Sequence, residues 1–329
     1  MCHTLDPNDV RVFSGCSHPV LAADIAAYLS VPLEKTLVRR FSNDNLYVQL
    51  GASVRARAVF IVQSLVPPVN DHLIELFMLL DAARGAAARE IHAIIPYFSY
   101  ARSDKKDAPR ISITARLIAD LLQTAGATHV MTMTLHSPQV HGFFGIPCDP
   151  LTARASIVAH LRKYDFSAGD TLVVAPDYGR AGSATRLAAQ FALPVASADK
   201  TRLSDSEVRI GPSIDRQVQG YRRAIIYDDE IATGGSIIEL SQRLIANGVT
   251  EIILVCTHGL FSNGAMGRLA AIPQITEIVT TDTVPIPPEK RLPHVTVLPV
   301  APVFGEAVWR NYSRQSIGNL FAFGEDACP

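Results

Sequence analysis

Residues 224–237 read AIIYDDEIATGGSI: an apolar run closes on two adjacent aspartates, and a Thr-Gly-Gly-Ser turn opens the next apolar stretch. A short unbroken apolar run is the pattern of a strand buried on both faces of a parallel sheet. Beyond the turn, Ile237, Ile238, Leu240 and Leu244 recur at helical spacing. The stretch is therefore read as strand, turn and helix, with Asp228 and Asp229 at the carboxyl end of the strand, where ligands of open parallel sheets bind. Adjacent anions repel, and paired glycines cost backbone entropy. A corner capped by serine explains Thr-Gly-Gly-Ser but leaves Asp-Asp unexplained. A sugar phosphate explains both. Vicinal hydroxyls donate to the paired carboxylates, and a phosphate rests on the amides and hydroxyls of Thr233, Gly234, Gly235 and Ser236 at the helix start.

The same alternation extends through the chain. Residues 58–65, 91–98, 129–136, 171–176, 223–229 and 251–258 are expected strands, and 71–84, 114–125 and 183–191 expected helices. Strands and helices in alternation predict an α/β fold of mainly parallel sheets covered by helices on both faces. AGATHVMTMTLH (125–136) echoes NGVTEIILVCTH (247–258), and each follows a helix containing RLIA. The echo predicts two copies of one α/β unit. The expected domains are 1–150 and 151–293, with 294–329 returning to the N-terminal domain after the proline-rich VPIPPEKRLPH (284–294).

Composition narrows the function classes. The 329 residues are 48% apolar, and 30 basic against 31 acidic residues leave a net charge of -1, which argues against a general nucleic-acid binder. No stretch approaches the roughly 18 apolar residues of a membrane span, and the first residues lack a secretory pattern. Five cysteines form neither CxxC pairs nor a disulfide framework. A cytoplasmic protein with reduced thiols is expected.

IIYDDEIATGGS resembles the ribose-phosphate signature shared by phosphoribosyltransferases and ribose-phosphate diphosphokinases, the PRPP synthetases. Residues 62–107, TLHSPQVHGFFGIP (134–147), APDYGRAGSATRLA (175–188), DKTR (199–202), TTDTVP (280–285) and SIGNLF (316–321) are similar to the diphosphokinase family, in the family's order and over nearly the whole chain. The resemblance implies two phosphoribosyltransferase-type domains. It also implies transfer of the diphosphoryl group of Mg-ATP to the C1 hydroxyl of ribose 5-phosphate, giving 5-phosphoribosyl 1-diphosphate and AMP. Dimer-based homo-oligomers extending to hexamers follow from it too, with the adenine site at a subunit interface.

Residue by residue, Asp228, Asp229 and Thr233 to Ser236 match the ribose 5-phosphate site. His136 and Asp177 match the positions that hold Mg2+, although a strand-end histidine is by itself more often structural. Asp177 also opens an Asp-x-Gly loop suited to diphosphate, with Ser183 as the cap of the next helix in the structural alternative. Lys200 and Arg202 match the Lys-x-Arg pair that stabilises transfer. Arg102 and Ser103 fall in the ATP-contacting segment, and Lys105 and Lys106 in the catalytic loop. Phe41, Asn43 and Asn45 match the adenine loop, where Phe41 either stacks on the base or packs in a core. Several positions depart from the common pattern: Asn45, Ser103, Thr134, Tyr178, Arg180, Glu230 and Ala232. Arg55, Ser316 and Phe321 match parts of the family's regulatory region, but Gly318 stands where a serine is common. His258 is expected to pack. A non-catalytic relative that regulates an active synthetase, and a phosphoribosyltransferase, are the competing readings.

Overall fold

Each long apolar run becomes a strand with no solvent-facing side, and the helices between supply the cover. The computed structural model describes residues 4–202, 208–288 and 291–321, and only the backbone of 200–202 and 208–209. The chain divides into two units. The first comprises residues up to Ala153, Thr283–Pro285 and Pro299 onward; the second comprises Arg154–Asp282 and Ile286–Leu298.

In the first unit, β1 (Val10–Ser14), β2 (Leu33–Glu34), β5 (Ala58–Val62), β6 (Glu90–Ile95), β7 (His129–Met133) and β8 (Cys148–Leu151) form a sheet in the order β2-β1-β5-β6-β7-β8. All its pairings are parallel. A hairpin, β3 (Thr36–Arg40) and β4 (Leu46–Leu50), is inserted between the second and third sheet strands. The helices are α1 (Pro19–Tyr28), α2 (Val69–Gly85), α3 (Thr114–Ala125) and, from the end of the chain, α9 (Ala301–Tyr312). Helix α2 buries Leu73, Leu76, Leu79, Leu80 and Ala83, a stripe at helical spacing, against Val59, Ile61, Ile91 and Ala93 of the sheet.

The second unit repeats the plan. Strands β9 (Thr171–Ala175), β10 (Val195–Ser197), β13 (Arg223–Ile231), β14 (Glu251–Gly259), β15 (Ile275–Thr281) and β16 (Val295–Leu298) lie in the order β10-β9-β13-β14-β15-β16, again all parallel. The hairpin β11 (Lys200–Arg202) and β12 (Val208–Ile210) occupies the same topological slot as β3–β4. Helices α4 (Arg154–Leu161), α5 (Ala181–Ala189), α6 (Ser213–Gln217), α7 (Gly235–Ala246) and α8 (Ala265–Ala270) complete it.

The two-copy reading of the sequence is met by this shared topology, but the echo that suggested it aligns the wrong strands. It pairs β7 with β14, whereas β7 is the fifth sheet strand of its unit and β14 the fourth. Both echoed segments follow a helix ended by a positive-φ glycine, Gly126 at +127° and Gly248 at +96°. That is the common grammar of helix-to-strand connections and carries no alignment. Relative to the expected ranges, β16 pairs with β15 in the second sheet, so the segment from 294 onward is divided: its strand belongs to the second unit and its helix α9 to the first.

One buried carboxylate ties the edge of the second sheet to α4. Glu277 accepts hydrogen bonds from His160 Nε2 (2.9 Å), Lys163 Nζ (2.8 Å), Tyr164 Oη (2.5 Å) and Thr296 Oγ1 (2.6 Å). Burial by itself would raise its pKa, but the bonds from Lys163, Thr296, Tyr164 and His160 outweigh burial and bring it to about 2. A carboxyl held below its unfolded value stabilises the fold above pH ~4.5, and that contribution fades as pH falls toward 2. Glu277→Gln is therefore expected to lower stability at pH 7 by on the order of 2–3 kcal/mol, read as a lower urea midpoint. The difference from the parent should shrink at pH 3. Equal midpoints at pH 7 would exclude this role.

Candidate functional site

The second unit's strand order reverses at β9, so the carboxyl ends of β9 and β13 frame a crevice at the switch point. Strand β13 runs to Ile231, two residues beyond the expected end, and carries the acid pair near its end. Asp229 is buried at 6% exposure, and its backbone N–H donates to Asp228 Oδ1 at 2.8 Å. Burial, then the charge of Asp229, raises the Asp228 carboxyl well above its ordinary range.

Gly234 then adopts φ +74° and precedes α7, with its virtual Cβ 3.4 Å from Ala265 Cβ. The left-handed conformation, rather than crowding, is what calls for glycine here. No side chain caps α7, so Ser236 lies inside the first turn and the serine-cap reading is set aside. An uncapped helix start with its amides directed outward suits an anion. Arg268 fixes the approach by donating to the Thr233 carbonyl at 2.6 Å.

After β9, Asp177 caps a 3-10 turn, Tyr178–Arg180, with Oδ1 accepting from the Arg180 N–H at 3.1 Å. A Cβ on Gly179 would lie 3.1 Å from that same Oδ1. Helix α5 starts at Ala181, two residues before the expected start, so Ser183 sits in its first turn and not at its cap. The Arg180 guanidinium reaches across to the acid pair, with Nε 3.5 Å from Asp229 Oδ1 and 4.0 Å from Asp228 Oδ1. Sequence reading noted Arg180 only as a departure. No spacing rule marks a lone arginine as the partner of carboxylates some fifty residues away.

The register shows why one unit alone carries these features. Val10 of β1 pairs with Ala58 of β5, and Thr171 of β9 pairs with Arg223 of β13. Counting along each strand from those pairs, Gln63 and Ser64 stand where Asp228 and Asp229 stand, and Cys16 stands where Asp177 stands. Gln63 is fully buried, accepting from the Ser17 amide and hydroxyl and donating to the His72 carbonyl. The first helix after β5 is preceded by Pro67 and Pro68, which have no N–H to offer. The first unit's switch point is filled by its own side chains.

The first unit presents different candidates. Phe41 is 53% exposed at the β3–β4 tip, edge-on to Tyr47 at 6.0 Å, so the core reading of Phe41 is overturned. Asn43 and Asn45 are exposed on the same turn, closed by Phe41 N–H to the Asn45 carbonyl at 2.8 Å and Asn45 N–H to Asn43 Oδ1 at 3.3 Å. Exposed Arg102 ends a 3-10 turn after β6. Ser103 closes the base of the following loop, accepting from the Thr114 amide at 3.3 Å through Oγ and from the Ala115 amide at 3.1 Å through its carbonyl. Lys105 and Lys106 are exposed within that loop. Strand β7 ends at Met133, earlier than expected, because Thr134 turns at φ +43°. Half-buried His136 therefore lies in the loop beyond the strand. Lys200 and Arg202 lie on β11, paired with Ile210 and Val208, and their side chains fall outside the described residues.

The donor chemistry can be tested against Mg2+. Among the described residues no cluster of three or more acidic, histidine or cysteine side chains could hold a metal. Asp177, a half-buried strand-end carboxylate, fits an ion that takes one or two protein carboxylates and completes its shell with phosphate and water oxygens. The His136 imidazole, a softer nitrogen donor, fits that preference less well.

Comparison with known proteins adds a family. Residues 10–126 match the profile of the N-terminal domain of ribose phosphate pyrophosphokinase, and 213–322 that of the phosphoribosyl synthetase-associated domain. A Deinococcus radiodurans ribose-phosphate pyrophosphokinase is 44% identical over 313 residues, covering 94% of this chain and 97% of its own. The Caldanaerobacter subterraneus subsp. tengcongensis ribose-phosphate pyrophosphokinase is 40% identical over 314 residues, covering 95% and 98%. The crystal structure of phosphoribosylpyrophosphate synthetase from Mycobacterium smegmatis superposes with a TM-score of 0.85 at 35% identity, over 93% of this chain and 99% of that one.

Proposed function

The chain belongs to the ribose-phosphate pyrophosphokinase family, and from that premise we propose that it transfers the diphosphoryl group of ATP to the C1 hydroxyl of ribose 5-phosphate. The sugar oxygen attacks the β-phosphorus, the bond from that phosphorus to the α–β bridging oxygen breaks, and AMP leaves as the hydroxyl proton is lost. The products are 5-phosphoribosyl 1-diphosphate and AMP. The observation that carries this reading is the acid pair, buried Asp229 and half-buried Asp228, beside an uncapped helix start at the second unit's switch point.

In this reading Asp228 and Asp229 accept hydrogen bonds from the ribose hydroxyls. The amides and hydroxyls from Thr233 to Ser236 hold the 5-phosphate. Asp177 and His136 hold Mg2+, which when bound offsets the negative charge of the nucleotide phosphates. Lys200 and Arg202 face the charge that develops on the transferred group. Phe41 stacks on adenine, with Asn43 and Asn45 beside it; Arg102 and Ser103 contact ATP; and Lys105 and Lys106 draw the catalytic loop onto its phosphates. An exposed aromatic at a hairpin tip suits a base held between subunits of a dimer-based homo-oligomer. Free thiols at Cys16, Cys148 and Cys256 suit a reducing cytoplasm, and no described helix is long and apolar enough to cross a membrane.

The test is direct. The purified protein is incubated with ATP, Mg2+ and ribose 5-phosphate, and nucleotides and sugar phosphates are separated by chromatography. AMP and phosphoribosyl diphosphate are expected in equal amounts, dependent on the sugar and the metal. ADP in place of AMP would mean single-phosphoryl transfer. Binding of ribose 5-phosphate without turnover would favour a regulatory relative.

A further inference from the structure

We propose that Arg180 is the positioning residue of the ribose site: its guanidinium holds the Asp228 and Asp229 side chains in the arrangement that receives the incoming hydroxyls. The inference rests on the reading above, in which that pair binds the sugar. Arg180 is 13% exposed and touches both carboxylates through Nε, at 3.5 and 4.0 Å, while its own backbone N–H donates to Asp177 Oδ1 at 3.1 Å. One residue thus links the acid that opens the diphosphate loop to the two acids that receive the sugar.

The physical need is plain. The carboxylates of buried Asp229 and half-buried Asp228 repel each other, and enclosure disfavours both charges. A cation beside them holds both side chains in one arrangement and leaves acceptor oxygens for the sugar hydroxyls. A planar guanidinium, always charged, meets that need. An arginine that competes with the sugar predicts tighter binding when it is removed, and a merely structural one predicts losses that guanidinium does not rescue.

The experiment measures ribose 5-phosphate binding to the full-length protein by calorimetry, without ATP, for the parent, Arg180→Ala and Arg180→Lys. Arg180→Ala should weaken binding by about 10- to 50-fold, and Arg180→Lys by less than about 5-fold, because a lysine keeps the charge but not the planar reach. Millimolar ethylguanidinium should restore part of the lost affinity to Arg180→Ala and leave the parent unchanged. In turnover, the loss should fall on the KM for ribose 5-phosphate more than on kcat. Unchanged or tighter binding by Arg180→Ala would overturn the proposal. So would equal losses in both variants without guanidinium rescue. A parent that does not bind ribose 5-phosphate would instead overturn the functional reading beneath it.

Discussion

Lys200→Ala is expected to lower kcat by about 10²–10³-fold while the KM for ribose 5-phosphate moves by less than about threefold. Diphosphoryl transfer asks little covalent chemistry of a protein. Negative charge shifts toward the leaving oxygen, and a preorganised cation lowers the barrier by meeting it there. The backbone of Lys200 lies opposite Ile210 on the β11–β12 hairpin. Ile210 is buried at 1% exposure; its amide donates to Glu239 Oε1 at 2.6 Å, and its carbonyl accepts from Arg243 Nη1 at 3.1 Å. Glu239 and Arg243 both belong to α7, the helix whose start receives the 5-phosphate in this reading. The hairpin base is thereby tied to the same rigid element as the substrate. In this reading Lys200 meets charge on the transferred group and not the sugar hydroxyls, which is why kcat alone should respond. Single-turnover AMP formation with calorimetric binding of ribose 5-phosphate checks both halves. An unchanged kcat would remove Lys200 from the mechanism.

Asp229→Asn should have the second-largest effect, on affinity: the KM for ribose 5-phosphate is expected to rise by about 10²-fold with a smaller fall in kcat. Asparagine preserves the shape of the side chain but removes its charge. A hydrogen bond to a charged acceptor contributes about 1.5–3 kcal/mol, or roughly 10- to 100-fold in binding. The substitution also takes one of two counter-charges from the enclosed Arg180 guanidinium, 3.5 Å away, which adds to the loss. Asp228→Asn should cost less, since Asp228 lies farther from Arg180 and its carboxyl is already pushed up by burial and by Asp229. A KM for Asp229→Asn within threefold of the parent would take the acid pair out of the sugar site.

Much of the candidate site was legible because its chemistry is local. The acid pair and the glycine turn lie within nine consecutive residues, and a strand followed by a helix start must place them at the carboxyl end of a sheet. The helices were legible for the same reason: 114–125 was expected from its periodicity and is observed as Thr114–Ala125. The errors have local causes too. β7 stops early because Thr134 takes a positive φ that its residue type does not announce. Helix α5 starts early because Asp177 organises the preceding turn. Phe41 read equally well as core or as surface, since a lone aromatic beside polar residues has no periodicity to place it.

The amino-acid sequence by itself determined the α/β class, the two-copy architecture, the family and the strand-end location of the acid pair and glycine turn, all of which depend on patterns a few residues long. Tertiary structure decided the rest: which strands of the two copies correspond, that Gln63 and two prolines close the first unit's switch point, that α7 starts without a side-chain cap, and that Arg180 meets Asp228 and Asp229. Each of these depends on strand register or on contacts between residues far apart in the chain. A sheet's pairing order, not the distance along the sequence, brings such residues together.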